Sequence, residues 1–235
     1  MSVEAVNSYF FNLFELSKAL DFKTLVRSFI ASYGYINPPI SGKKVVEVLK
    51  SIMRLIENYH LSRNKFYNYV SDFFNNLQSI SKIGSFILID DLGLPTILYL
   101  SKKFLIKYHF FLLNPMGDTK TWKATTEVQT LSEAAKKYGM HLLKSPDKRV
   151  HYLELKMIKS EPLSIEQLID YIHKNITLQV LRFIKDAERP TLIVSDHAYD
   201  VARVSNRFIL CHGFGCLKYN MKPIFSKLSS ILIIG

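Results

Sequence analysis

The stretch Pro190 to Val201, PTLIVSDHAYDV, runs an apolar strand pattern straight into an Asp-His pair. Ser85 to Thr96, SFILIDDLGLPT, has the same form: an apolar run, then acid, then a turn. Runs of four or five apolar residues bounded by turn residues read as buried strands, and each delivers polar side chains at its end. In an open α/β sheet, ligands sit outside the carboxyl ends of the strands, where the following loops gather. These two stretches therefore predict an α/β sheet with a site at one edge.

The rest of the chain frames this reading. With 235 residues and 48% hydrophobic content, it is long enough to bury a substantial core. Its apolar runs are broken by polar residues well short of the ~18 to 20 needed to cross a bilayer, and Glu4 and Glu15 stand where a signal peptide would carry basic residues. No membrane association is expected. Cys211 and Cys216 are too few for a disulfide framework and fit a reducing cytoplasm, as small buried thiols rather than as a local bridge. The formal charge of +11 is spread along the chain, with ten Lys/Arg against six Asp/Glu in residues 1–85 and 21 against 14 in residues 86–235. Such scatter usually marks a solvated surface; nucleic acid is the partner that a net positive charge leaves open.

Two regions differ in periodicity. Residues 1–84 show helical spacing throughout: an amphipathic helix over Val3 to Leu20, a second from Asp21 to Tyr33 with Asp21 as N-cap, and further helices over Lys43 to Tyr59 and Ser62 to Ile80. Residues 85–235 alternate short apolar runs with helical patterns, the signature of βαβ units. Strands are expected at Phe86–Ile89, Tyr108–Leu113, Met140–Leu143, His151–Met157, Thr191–Val194, Phe208–Cys211 and Ile231–Ile234. Helices are expected at Thr126 to Tyr138 and at Ile165 to Lys185, the latter introduced by a Ser164/Gln167 capping box. The expected fold is thus α/β, with a largely parallel sheet flanked by helices and preceded by an all-helical region.

Side chains suited to metal chemistry fall at three predicted strand ends. Asp90 and Asp91 follow the first strand; because strand side chains alternate, only one can readily face a site. Asp196 and His197 end the second, a carboxylate and an imidazole suited to Zn²⁺ or Mn²⁺. His212 ends the third, in RFILCHGFGC.

Together, ILIDD, LIVSDHAYD and RFILCHGFG resemble the alkaline-phosphatase superfamily, most closely its PglZ-like branch, over about Ser85 to Gly235. Members of that branch occur in phage-defence systems. The resemblance implies an alkaline-phosphatase-like core and a metal-dependent phosphatase or phosphodiesterase acting on a phosphate ester. It implies a site of as many as two divalent ions, Zn or Mn, held by Asp90 or Asp91 with Asp196, His197 and His212. Asp170 and His173, three apart on one helix, are candidates for the remaining ligands. Thr125 and Thr126, at the start of a predicted helix, are candidates for the nucleophile. Ala198 departs from the family's usual Gly, and Asp91 from its usual small residue. Two other readings fit the same residues: a catalytically silent scaffold that binds protein or nucleic acid, and a PIN-like nuclease using converging carboxylates without an essential histidine.

Overall fold

The computed structural model describes residues 3–58, 65, 68–69, 72, 83–113, 150–154, 161–195 and 197–235. Three helices come first: α1 (Val3–Ser17), α2 (Phe22–Ser32) and α3 (Lys43–Asn58). Asp21 caps α2 as its sequence position predicts, accepting a 2.6 Å hydrogen bond from the Thr24 amide. The buried stripe of α3 (Val45, Val46, Leu49, Ile52, Ile56) follows the 3.6-residue period. These helices share one hydrophobic cluster with the sheet described next.

After β1 (Ser85–Asp90) come α4 (Leu94–Lys103), β2 (Ile106–Leu113) and β3 (Val150–Glu154). A long helical segment follows, in which α5 (Ile165–Tyr171) and α6 (Leu178–Lys185) are joined by a π-helical turn, Ile172–Thr177. The Ser164/Gln167 capping box forms as expected. Next are β4 (Thr191–Ser195), β5 (Asp200–Val204), β6 (Arg207–Cys211), the short α7 (Phe214–Leu217) and β7 (Leu228–Ile234). The expected strand at Met140–Leu143 and the helices at Thr126–Tyr138 and Ser62–Ile80 lie outside the continuous described segments.

The largely parallel, alkaline-phosphatase-like sheet is not what forms. Among the described residues a five-stranded mixed sheet runs β2-β7-β4-β1-β3, and β5 and β6 make a separate two-stranded sheet. β1 is parallel to β3 and β4, but β7 is antiparallel to both β4 and β2, and β5–β6 is an antiparallel hairpin. For the hairpin the reason is connection length. A parallel neighbour needs a crossover of about a dozen residues or more, usually through a full helix. Only Ser205 and Asn206 separate β5 from β6. The chain must therefore turn back on itself.

Two polar devices tie the helices to this sheet. On the edge strand β2, the Asn7 side chain accepts from the Phe111 amide at 2.9 Å and donates to the Phe111 carbonyl at 3.2 Å. It covers backbone groups that an exposed edge would leave open to another strand. Deeper in the molecule, the Asp200 carboxylate is fully buried and accepts five hydrogen bonds. The donors are the Tyr33 hydroxyl (2.7 Å), the amides of Ile224, Phe225 and Ser226 (3.0, 2.9 and 3.0 Å) and the Ser226 hydroxyl (2.6 Å). Burial, then the neighbouring Asp200 carboxylate, push the Tyr33 phenol well above its ordinary pKa, so it stays a donor.

A buried carboxylate is tolerable only when so satisfied, and removing it strands every donor. Asp200→Ala should therefore cost at least about 3 kcal/mol in urea unfolding, Asp200→Asn less, and Tyr33→Phe about 1 kcal/mol. A loss below about 1 kcal/mol for Asp200→Ala would contradict this role.

Candidate metal centre

The two strand-end motifs meet because of sheet register. β1 pairs with β4 so that Ser85 faces Thr191 and Leu88 faces Val194. Continued three residues, the same offset sets Asp91 beside His197, just beyond the carboxyl ends of two parallel strands. Ser195 stitches the two loops together: its hydroxyl donates to the His197 carbonyl at 2.8 Å and accepts from the Leu92 amide at 3.3 Å. The hairpin supplies the third arm. Asp200 pairs with Cys211, so one step further His212 comes opposite Tyr199, next to the His197 loop.

Asp91, His197 and His212 converge, each offering a ligand atom within 4.8 Å of the others. The Asp91 Oδ1 lies 3.0 Å from His197 Nδ1 and 3.7 Å from His212 Nδ1. The two imidazoles stack almost parallel, 4° apart in plane, with centroids 4.9 Å apart. His197 is fully buried and Asp91 nearly so, whereas the His212 side chain is 35% exposed and opens the site to solvent. Asp91 adopts a left-handed conformation with φ 62°. Asp tolerates this region better than most residues, and the turn carries its carboxylate off the line of β1.

The tautomer of His197 accounts for the polarity of the group. Its Nδ1 lies 3.2 Å from the Ala198 carbonyl. An Nδ1–H given to that carbonyl leaves Nε2 with the lone pair, the arrangement by which a backbone acceptor orients a metal-binding imidazole. With the proton so placed, the buried Asp91 Oδ1, 3.0 Å from the same nitrogen, has no hydrogen-bond donor among the described residues. A buried carboxylate oxygen left in this state is costly unless a cation meets it. One carboxylate and two imidazoles form a three-ligand set that leaves further coordination positions for water or substrate. Ligand atoms around a tetrahedral ion with bonds of 2.0–2.1 Å are about 3.3 Å apart. Rotation of the half-exposed His212 is the movement that closes the remaining spread.

Behind the group lies a residue that sequence reading passed over. Tyr199 is fully buried, and Gly93 admits its ring: a Cβ at Gly93 would overlap ring atoms of Tyr199. Burial raises its phenol pKa far above the ordinary value; Asp91 raises it further, and Thr96 acts in the opposite direction. Thr96 is hydrogen-bonded to Thr177, the last residue of the π-helical turn, at 2.8 Å. A neutral phenol thus packs between the site and that turn. The sequence did carry a trace of this in DDLGLP, whose glycine allows close approach, and in HAYD, whose aromatic follows the histidine at a spacing of two.

The other candidates divide clearly. Asp90 ends β1, and Asp91 beside it is the residue brought into the group. Asp196, Thr125 and Thr126 lie outside the described residues. Asp170 and His173 do not join the site: Asp170 is exposed and paired with Lys174 at 2.9 Å, and His173 packs on Phe22 with ring centroids 4.9 Å apart. Cys211 and Cys216, expected as thiols, form a disulfide with Cα atoms 5.1 Å apart, closing the loop that carries His212.

The fold and site together define a mixed α/β protein with a buried Asp-His-His group able to hold a metal ion. No protein-family model, curated protein or solved structure matches this chain. Among the described residues no helix is long and apolar enough to cross a membrane.

Titration with Zn²⁺ against a chromophoric chelator should give one tight equivalent. Asp91→Ala, His197→Ala and His212→Ala should each weaken it by at least tenfold, while Asp170→Asn and His173→Ala leave it unchanged. Equal affinity in all five variants would place the ion elsewhere.

Proposed function

We propose that this chain is a metal-dependent hydrolase of phosphoric esters, with Asp91, His197 and His212 holding one divalent ion, Zn²⁺ or Mn²⁺. The observation that carries the reading is the convergence of the buried Asp91 carboxylate with His197 and His212, whose ligand atoms all lie within 4.8 Å of one another. A bound divalent ion supplies charge to polarise a phosphoryl oxygen and acidity to activate water. The residues do the rest. Asp91 contributes the negative charge that makes the site selective for a cation. His197 Nδ1, 3.2 Å from the Ala198 carbonyl, donates there when protonated, which leaves Nε2 for the ion. His212, the most exposed of the three, borders the path by which a substrate enters.

The phosphate preference rests on two supports. The motifs around these residues resemble those of phosphoric ester hydrolases, and the net charge of +11 attracts anions over the whole surface. The scaffold reading has less in its favour, because a scaffold has no use for a buried carboxylate short of a donor. A PIN-like nuclease would gather several carboxylates, whereas the described group holds one carboxylate and two imidazoles.

The purified chain should hydrolyse a nitrophenyl phosphate mono- or diester in Mn²⁺ or Zn²⁺ and stop in chelator. Asp91→Ala or His212→Ala should lower kcat/KM by at least 100-fold. Thr125→Ala and Thr126→Ala distinguish a side-chain nucleophile from attack by water. Turnover that is independent of metal, or unchanged in His212→Ala, would overturn the proposal.

A further inference from the structure

Away from the metal centre, α1 and the start of β2 enclose a cleft of about 190 Å³. Its walls are aromatic and apolar, chiefly Phe11, Phe14, Phe104, Leu105 and His109, with Lys18 and Glu15 at the edge. β2 is the far edge of the sheet from β1, and it runs parallel in direction to β4 through the two antiparallel pairings of β7. The cleft at the amino end of β2 is therefore at the opposite end of the strands from Asp91.

Three features of the cleft point to one kind of ligand. First, the Phe11 and His109 rings are 22° from parallel, with centroids 6.5 Å apart. That is the wide end of the range for a direct aromatic pair, and close to the roughly 7 Å that a flat ring needs to lie between two others at contact distance on both sides. Phe14 meets His109 edge-on at 4.8 Å and holds the imidazole in place, so one jaw is fixed. Phe11, 61% exposed, is the movable jaw. Second, the cleft exceeds the ~150 Å³ of an apolar cavity that accepts benzene, so it has room for a larger ring. Third, the chain next to the lining residues, Ser101 to Leu113 (SKKFLIKYHFFLL), carries Lys102, Lys103 and Lys107 and no acid; Lys102 donates to the Leu20 carbonyl at 2.9 Å and Lys103 lies 5.3 Å over the Tyr99 ring, and both side chains must turn from these contacts to reach a ligand. Lys18 adds a fourth cation, balanced by Glu15 at 2.5 Å.

We propose that this cleft binds a nucleotide, its base inserted between Phe11 and His109 and its phosphate held by the neighbouring lysines. Stacking accepts any base, because every base presents a π face. Burial lowers the pKa of His109, against a smaller opposing effect of Asn7, which favours the neutral ring as a stacking surface. Leu105, 69% exposed, and Phe104 line the cleft where the sugar edge of a stacked base would lie. The site is independent of the metal centre, and a free nucleotide and the 5′ end of a single strand offer it the same chemistry.

Calorimetric titration of the full chain tests this with adenosine monophosphate, adenosine, ribose 5-phosphate and a 5′-phosphorylated single-stranded oligonucleotide. Adenosine monophosphate should bind, and loss of either the base or the phosphate should weaken binding at least tenfold. Phe11→Ala should also weaken it at least tenfold with Tm little changed, because Phe11 is largely exposed; His109→Leu should weaken it too. Asp91→Ala should leave it intact, which separates this site from the proposed hydrolytic one. Binding of the oligonucleotide at similar strength identifies a strand end as the natural source, and weaker binding identifies a free nucleotide; both outcomes support the base clamp. Equal binding of ribose 5-phosphate, undiminished binding in Phe11→Ala, or no binding of any probe would overturn the proposal.

Discussion

The Asp200 carboxylate is the constraint on which the arrangement depends. It belongs to the first residue of β5, and its donors come from Tyr33, the C-cap of α2, from the segment before β7 and from nowhere on its own strand. Burying one negative charge is costly unless it is fully hydrogen-bonded, so the three parts must be in place together. Helical region, hairpin and the approach to β7 are thereby locked in a single geometry. Tyr199 and His197, one and three residues earlier, inherit that position, and so does His212 through the pairing of Asp200 with Cys211.

A second constraint then acts inside the first. Parallel β1 and β4 bring two loops to the same edge, and Ser195 bonds the loops to each other. The outcome is a carboxylate with little exposure facing two imidazoles, where His197 Nδ1 lies within reach of both Asp91 (3.0 Å) and the Ala198 carbonyl (3.2 Å). A buried carboxylate oxygen with no hydrogen-bond donor among the described residues is costly, and such departures from the rules of the core mark functional positions.

Much of this was legible in the sequence where the physics is local. Asp21 and the Ser164/Gln167 pair cap their helices because capping needs only residues three apart. The apolar runs of β1 and β4 stand out because buried strands are short and bounded by polar residues. What depended on partners was not legible. Strand direction follows from how the chain reconnects, and β5, whose residues DVARV lack a clean alternation, becomes a strand only by pairing with β6. The choice of Asp91 for the site turns on a left-handed backbone at one residue. Asp170 and His173 have suitable chemistry and spacing, yet their helix faces solvent and Phe22 instead. The Cys211–Cys216 bond, likewise, is settled by the hairpin and α7 meeting, not by a spacing of five.

Everything proposed for the site depends on an ion occupying the space between these three side chains. Anomalous diffraction at the zinc edge, from crystals grown with Zn²⁺, measures this directly. The predicted result is one strong peak about 2.0–2.2 Å from the Asp91 carboxylate and from a ring nitrogen of both His197 and His212. A map without that peak, in which the Asp91 Oδ1 accepts a hydrogen bond from a protein group or an ordered water, would contradict it.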